Sequence, residues 1–213
     1  MANPYFRNLP EIAYVNRDDP KSNSEYNVVK NFFKRAKLRE DILQNIAFFE
    51  KFIIKGDDRP DNIAFEIYGD STLDWVVLMS NNIINIQSEW PMPNDIFYDY
   101  LIDKYGDETT LYGGVHHYEA NEVKTSNNKI IIASGTRVSV GQSVSFYDFG
   151  KQDQVTVTDV ASPITNFIYE QNLNDKKREI FLLKKIYLNL VFDDIEQIMT
   201  YKEGSTQFLD ETL

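Results

Sequence analysis

The amino-acid sequence predicts an α+β protein with a strand–helix–helix core, an inserted small antiparallel β region and a C-terminal strand–helix unit. Three observations lead to this prediction. A strand-like run followed by two helix-like runs spans residues 48–82. Short β-rich runs separated by turn residues fill residues 107–170. A strand-like run and then a helix-like run follow in residues 171–203.

The first strand and helix of the core have clear beginnings and ends. The run FFEKFII at 48–54 is rich in aromatic and β-branched residues, which favour a partly buried strand. Gly56 and the two aspartates after it end the strand, because glycine adopts positive φ freely and aspartate bonds its own backbone. Pro60 suits the first turn of a helix, where no N–H is needed, and Gly69 suits its end.

The second helix of the core follows at once. Ser71 and Asp74 have the spacing of a capping box, with aspartate in place of the usual glutamate. The apolar residues Leu73, Val76, Val77 and Met79 predict a mostly buried helix that Asn81 and Asn82 close. This order of strand, helix and helix resembles the front three-quarters of a LysM-type module. Modules of that type bind polymers or partner proteins, which favours binding over catalysis.

The N-terminal 26 residues predict an extended arm. They are polar, rich in proline and asparagine, and without sustained periodicity, so we expect them to be ordered mainly by what they touch. We predict that Tyr5, Phe6 and Tyr14 anchor this arm on a partner. The alternative is a terminus with no fixed contacts.

A basic cluster and a short helix follow the arm, in residues 27–47. We predict that Arg35 and Arg39 of this cluster meet either an acidic partner or the acidic surface of the protein itself. A solvated face is the alternative for any such run of charges. The short helix begins near Asp41 and leads into the first strand.

The predicted elements divide the chain into four segments. These are an extended N-terminal arm with a short helix (1–47), a LysM-like domain with a following helix (48–106), a β-rich insertion of about four strands (107–170), and a C-terminal strand and helix (171–213). Gly106 is predicted to end the helix that follows the LysM-like core. The final residues, 204–213, are expected to fray.

Composition and charge exclude several classes of partner. The chain has 213 residues and a net charge of −11, so we expect it to repel nucleic acids and anionic membranes. It has no cysteine, which excludes disulfides and thiolate metal sites. We find no run typical of a signal peptide and no apolar stretch of transmembrane length. Aromatic residues make up 14% of the chain, which suits either an aromatic core or an interface.

The sequence offers little for catalysis or metal binding. His116 and His117 are adjacent on a predicted strand, where their side chains should point to opposite faces and cannot easily share a metal. Without a cysteine, a nucleophile elbow or a phosphate-binding glycine motif, we predict no enzyme activity, no metal and no cofactor. Trp75 is predicted to be buried in the second helix. Trp90, in the loop EWPMP, is either an exposed partner anchor or packed beneath that loop.

Several motifs together resemble one family of phage proteins. The chain is similar to the baseplate wedge protein 53 family of T-even-type contractile-tailed bacteriophages, and the resemblance covers most residues beyond about 28. The features that carry it are the strand ending in Ile-Lys-Gly, Arg59-Pro60, Tyr68-Gly69-Asp70, Leu73-x-Trp75-Val76-x-Leu78-Met79, Asn81-Asn82, Trp90, and the stretches Val115–Val123 and Thr165–Leu188.

This resemblance implies a structural protein of the virion. Members sit in the tail baseplate, bridge neighbouring wedges, and touch other wedge subunits and the sheath-initiating subunit. It implies assembly in the host cytoplasm, with no nucleic acid, membrane or cofactor among the partners. The alternatives are a peptidoglycan-binding LysM module of a virion-associated protein and a cell-wall hydrolase of the baseplate, for which we find no motif.

Overall fold

The computed structural model describes residues 4–15 and 26–201; the predicted fraying of residues 204–213 lies outside these ranges. The chain divides into two compact units. Unit 1 takes its residues from 1–91 and 177–213, and unit 2 consists of residues 92–176. Both helices and small antiparallel sheets are present, which confirms the α+β class.

The secondary-structure elements are numbered in chain order. The α-helices are α1 (Glu40–Leu43), α2 (Pro60–Tyr68), α3 (Asp74–Ser80), α4 (Ile86–Glu89), α5 (Asn94–Tyr105), α6 (Glu108–Gly113), α7 (Asn166–Lys176) and α8 (Leu188–Met199). The strands are β1 (Glu11–Val15), β2 (Tyr26–Lys30), β3 (Phe49–Ile53), β4 (Val115–Ala120), β5 (Val123–Lys124), β6 (Ile130–Ile132), β7 (Arg137–Val138), β8 (Val144–Asp148), β9 (Asp153–Val157), β10 (Ala161–Thr165) and β11 (Glu179–Leu183). Short 3-10 turns lie at Tyr5–Asn8, Ile46–Phe48, Ser71–Leu73 and Lys185–Tyr187.

Unit 1 is built on a pair of strands from distant parts of the chain. β3 and β11 pair antiparallel, with Phe49 opposite Leu183 and Ile53 opposite Glu179. The hydroxyl of Tyr68, at the end of α2, donates to the carbonyl oxygen of Leu183 at 2.9 Å. The order is therefore strand, helix, helix and strand. The likeness to LysM modules stays a prediction.

The predicted boundaries of α2 are confirmed, whereas the predicted cap of α3 is wrong. Pro60 is the first residue of α2, and Gly69 ends it with a φ of 82°. The next turn is capped by Asp70, whose carboxylate accepts hydrogen bonds from the backbone N–H (2.9 Å) and hydroxyl (2.8 Å) of Thr72. Ser71 does not act as the cap because a 3-10 turn begins at that residue.

The core of unit 1 lies where these helices, β11 and α8 meet. Trp75 is 7% exposed and therefore buried, as predicted. α8 places one apolar side in the core at the helical spacing. The largest fully buried side chains of the unit are Ile42, Ile54, Ile63, Val76, Val77, Leu183, Val191 and Ile195.

Unit 2 combines helices with several small sheets. β4 lies between β10 and β7, while β5 pairs with β6 and β8 with β9. A small core contains Phe97, Leu101 and Leu111. The side chain of Asn174 joins the two ends of the unit: its Oδ1 accepts from the N–H of Met92 at 2.8 Å, and its Nδ2 donates to the carbonyl oxygen of Met92 at 3.1 Å.

The described structure of unit 2 differs from the prediction in two ways. Residues 107–170 contain seven short strands instead of about four, together with α6 and the start of α7. α7 is hidden in the sequence because its buried positions include Glu170 and Asn174, which interrupt the apolar periodicity. The helix α5 ends at Gly106, with a φ of 86°, as predicted.

Candidate partner-binding surface

An apolar groove opens on the surface of unit 1. It lies between the N-terminal 3-10 turn, the segment before α1, and α3 with the loop that follows it. We refer to it below as the groove, defined by its lining residues Tyr5, Phe6, Leu9, Phe32, Lys34, Arg35, Asp74, Trp75, Leu78, Met79, Ile83 and Ile84.

The N-terminal turn is fixed in place by Tyr5. Its hydroxyl accepts a hydrogen bond from the backbone N–H of Ala36 at 3.0 Å. Its ring lies 5.9 Å from the ring of Trp75 and 5.7 Å from that of Phe6. Phe6 in turn lies 5.8 Å from Phe32. A series of aromatic rings therefore runs from the buried core to the surface, where Phe6 is 63% and Phe32 70% exposed.

Two cations and one carboxylate line the groove. The ammonium of Lys34 donates to the carbonyl oxygen of Met199 at 3.2 Å and lies 4.4 Å from the ring centroid of Tyr201. Arg35 is exposed, and hydrogen bonds from the N–H groups of Asn85 and Ile84, together with the charge of Arg35, lower the pKa of Glu89. Burial raises the pKa of Asp74, which disfavours its charged form. The groove lining thus carries two cations and one carboxylate, and the carboxylate of Glu89 accepts from the N–H of the lining residue Ile84 at 2.6 Å.

Arg39 contacts the protein's own acidic residues. Its guanidinium forms ion pairs with Asp41 and, at 3.0 Å, with Asp194. The hydrogen bond from Arg39 lowers the pKa of Asp41. The other carboxylate oxygen of Asp194 is buried and has no hydrogen-bond partner in the described residues. Of the two contacts predicted for Arg39, the structure contains the internal one, and a role with an acidic partner stays a prediction.

The third predicted arm residue, Tyr14, lies on a two-stranded ribbon away from the groove lining. β1 pairs antiparallel with β2, with Tyr14 opposite Asn27. Its side chain is 51% exposed, and Tyr26 and Val28 on β2 are also exposed. A two-stranded ribbon is marginal on its own in water. Because these side chains are exposed, they are available to a partner. The pairing of β1 with β2 was not predicted from the sequence.

Trp90 packs beneath its loop. It is 8% exposed, and its indole N–H donates to the carbonyl oxygen of Asp58 at 3.1 Å. Of the two alternatives for this residue, the chain adopts the buried one. The sequence did not single out Phe32 or Ile84, which both line the groove. The available signal for an apolar surface here was the pair Phe32-Phe33 directly before the basic cluster. Both side chains are exposed, Phe33 by 96%.

The histidine pair in unit 2 departs from the predicted geometry. The Nδ1 atoms of His116 and His117 lie 2.9 Å apart, and Nε2 of His117 lies 2.9 Å from a carboxylate oxygen of Glu119. The prediction of opposite faces is wrong because a register shift between Ile164 and Thr165 on β10 disturbs the alternation of β4 here. No group of three or more potential ligands for a metal ion occurs in the described parts of the chain.

Comparison with known proteins identifies the family. The family model described as "Base plate wedge protein 53" matches residues 5–198. The chain belongs to this family. A relative, the "Baseplate wedge protein gp53" of Enterobacteria phage T4, is 27% identical over 182 residues, which are 83% of each chain. The family resemblance drawn from the sequence is thereby confirmed, and the chain is a member of a structural family of phage baseplates. None of the described helices has the length and apolar character needed to cross a membrane.

Proposed function

We propose that this chain is a structural, non-enzymatic component of a contractile phage tail baseplate wedge, and that it bridges neighbouring wedges during assembly. The family match over residues 5–198 carries the proposal. Its partners are the other wedge subunits, the sheath-initiating subunit and neighbouring wedges. It acts in the tail baseplate of the virion, which is assembled in the host cytoplasm.

The surfaces of the two units suit a bridging role. Unit 1 exposes Phe6 and Phe32 at the groove. Unit 2 exposes Tyr147 (51%) and Phe149 (80%), whose rings lie 5.0 Å apart. Exposed aromatic side chains are frequent anchors of protein interfaces. Two weak contacts on one chain raise the effective concentration of each other, so that ring closure becomes cooperative.

Co-expression with the other tail proteins of the same phage tests this function. Affinity capture of the full chain, followed by mass spectrometry, should recover wedge subunits in stoichiometric amounts. The double variant Phe6→Ser and Phe32→Ser should recover at least about tenfold less, because hot-spot side chains contribute about 2 kcal/mol each. Phe65→Ser is the matched control, since Phe65 is 64% exposed but does not line the groove.

Three results would contradict the proposal. Failure of the unaltered chain to capture any wedge subunit would remove the bridging role. Binding of the purified chain to chitin oligomers or cell wall, without such capture, would favour the peptidoglycan-binding alternative. Muralytic activity of the purified chain would contradict its non-enzymatic nature.

A further inference from the structure

We propose that the free edge of strand β3 is a binding site for an extended segment of another protein, which adds a third strand to the two-stranded sheet of unit 1. The occupant is recognised by its backbone, and it places an aliphatic side chain beside Ile53. This inference goes beyond the bridging function proposed above, because it concerns the mode of contact and not the subunit that supplies the segment.

The ladder between β3 and β11 fixes which backbone groups of β3 face outward. The N–H of Ile54 donates to the carbonyl oxygen of Arg178 at 2.9 Å. In an antiparallel pair, residues that bond across the ladder alternate with residues whose N–H and C=O groups point the other way. With the observed register, the backbone groups of Lys51 and Ile53 therefore point away from β11. They form no hydrogen bond with the residues that the structure describes.

The opposite edge of the same sheet is already closed. On β11, the outward-facing N–H and C=O groups of Phe181 bond to the side-chain amide of Asn81, at 2.7 and 2.9 Å. The outward-facing carbonyl oxygen of Leu183 accepts from the hydroxyl of Tyr68 at 2.9 Å. Side chains of unit 1 thus take the place of a third strand beside β11, whereas no strand of the described residues lies beside the outer edge of β3. A strand that extends this sheet therefore enters beside β3.

The free edge is held in place by the core and carries an apolar contact surface. Phe49 and Ile54, at the two ends of β3, are buried in the core of unit 1, so the edge needs little ordering when a partner binds. Ile53 is 59% exposed, and Phe181 of β11 is 41% exposed on the same face of the sheet. Strand addition uses these two features, since main-chain hydrogen bonds supply affinity and alternate side chains supply specificity.

The lysines of this segment disfavour a second copy of the chain as the occupant. Lysine on an edge strand discourages the pairing of identical edges. An antiparallel pair of β3 strands centred on Ile53 brings Lys51 of one copy opposite Lys55 of the other, and a pair centred on Lys51 brings two ammonium groups together. The net charge of −11 on each copy adds to the repulsion. We therefore assign the edge to a segment of a different protein.

A strand-forming peptide tests the site on the full chain. The probe is a peptide blocked at both ends in which valine and threonine alternate, because both residues are β-branched and suit extended structure. Titration followed by amide NMR should give saturable shifts of the Lys51 and Ile53 signals. The N–H of Phe52 faces β11, so its protection from hydrogen exchange should persist and report that the ladder is intact.

Two substitutions of Lys51 separate main-chain pairing from side-chain contact. Lys51→Pro removes the outward N–H and leaves the ladder with β11 complete, because proline is tolerated where the N–H of an edge strand faces solvent. Lys51→Ala is the matched control, since it loses the same ion pair with Glu179 but keeps the N–H. We expect the Kd of the peptide to be at least about tenfold higher for Lys51→Pro than for Lys51→Ala, which corresponds to about 1.4 kcal/mol.

Three outcomes would overturn the proposal. The first is a titration that leaves the Lys51 and Ile53 signals of the unaltered chain unchanged, whatever the variants do. The second is an equal Kd for the two variants. The third is protection of both amides in the free chain that increases with protein concentration, because the occupant is then a second copy. No wedge subunit is present in these measurements, so the bridging function is tested separately by co-expression.

Discussion

The side chain of Asn81 should be a major source of stability in unit 1. It follows α3 directly and takes the place of a neighbouring strand at β11. Its Oδ1 accepts a hydrogen bond from the N–H of Phe181 at 2.7 Å. Its Nδ2 donates to the carbonyl oxygens of Phe181 at 2.9 Å and Val77 at 2.8 Å. One amide group therefore joins a helix end to the strand that closes the small sheet.

Replacing Asn81 by alanine removes all three hydrogen bonds. Each hydrogen bond contributes a net free energy of about 1 kcal/mol, which sets an upper value of about 3 kcal/mol for the three. Water can reach the backbone groups of Phe181 in the variant, because this region of the strand is exposed. We therefore expect the Asn81→Ala variant to lose about 2 kcal/mol of the free energy of unfolding of unit 1.

Urea unfolding followed by tryptophan fluorescence measures this loss. The two tryptophans of the chain, Trp75 and Trp90, both belong to unit 1, so the signal reports on that unit alone. Asn62→Ala is the matched control, because Asn62 is an exposed residue of α2 whose side chain has no hydrogen bond in the described residues. It should change the free energy by less than about 0.5 kcal/mol. Equal unfolding free energies for the two variants would refute the reasoning.

Three further substitutions give independent predictions. Hydrogen bonds from Ser126 lower the pKa of Asp148 below its ordinary 3.8, so the stabilisation that the Asp148 carboxylate gives to the β8–β9 turn is lost as the pH falls through that lowered value. Hydrogen exchange of the turn should show this loss, and Asp148→Asn should abolish its pH dependence. Glu170→Gln should lower the calorimetric stability of unit 2 by about 1 kcal/mol, because the ion pair at 2.8 Å is lost but Lys104 is partly exposed. Ile63→Ala should cost unit 1 about 3 kcal/mol in urea unfolding, because Ile63 is completely buried.

The elements that could be predicted are those whose signals are local. Pro60 and Gly69 bound α2 because each acts through its own backbone, and the same holds for Gly106 at the end of α5. β11 could also be predicted as a strand from its own composition. Its pairing with β3 could not, because the register depends on contacts between segments separated by the whole of unit 2.

Elements with polar residues in buried positions could not be predicted. α7 buries Glu170 through hydrogen bonds with Lys104 and Tyr105 on α5, and only the tertiary structure shows that the carboxylate has partners. The groove is similar in this respect. Tyr5 and Arg35 were singled out from the sequence, but another wall of the groove comes from α3 and the loop after it, which begin 39 residues after Arg35 and 69 after Tyr5. A surface assembled from separate segments leaves no single motif in the sequence.

The two hydrogen bonds between Asn174 and Met92 hold the beginning and the end of unit 2 together, so this unit leaves and rejoins the rest of the chain at one place. Its first residues and its last helical turn meet at one point, whatever length of polypeptide lies between them. Insertions, deletions or replacement of the sequence within residues 93–173 would therefore leave the two connections between unit 2 and unit 1 unchanged. Related phages could diversify this part of the molecule while retaining the same unit 1.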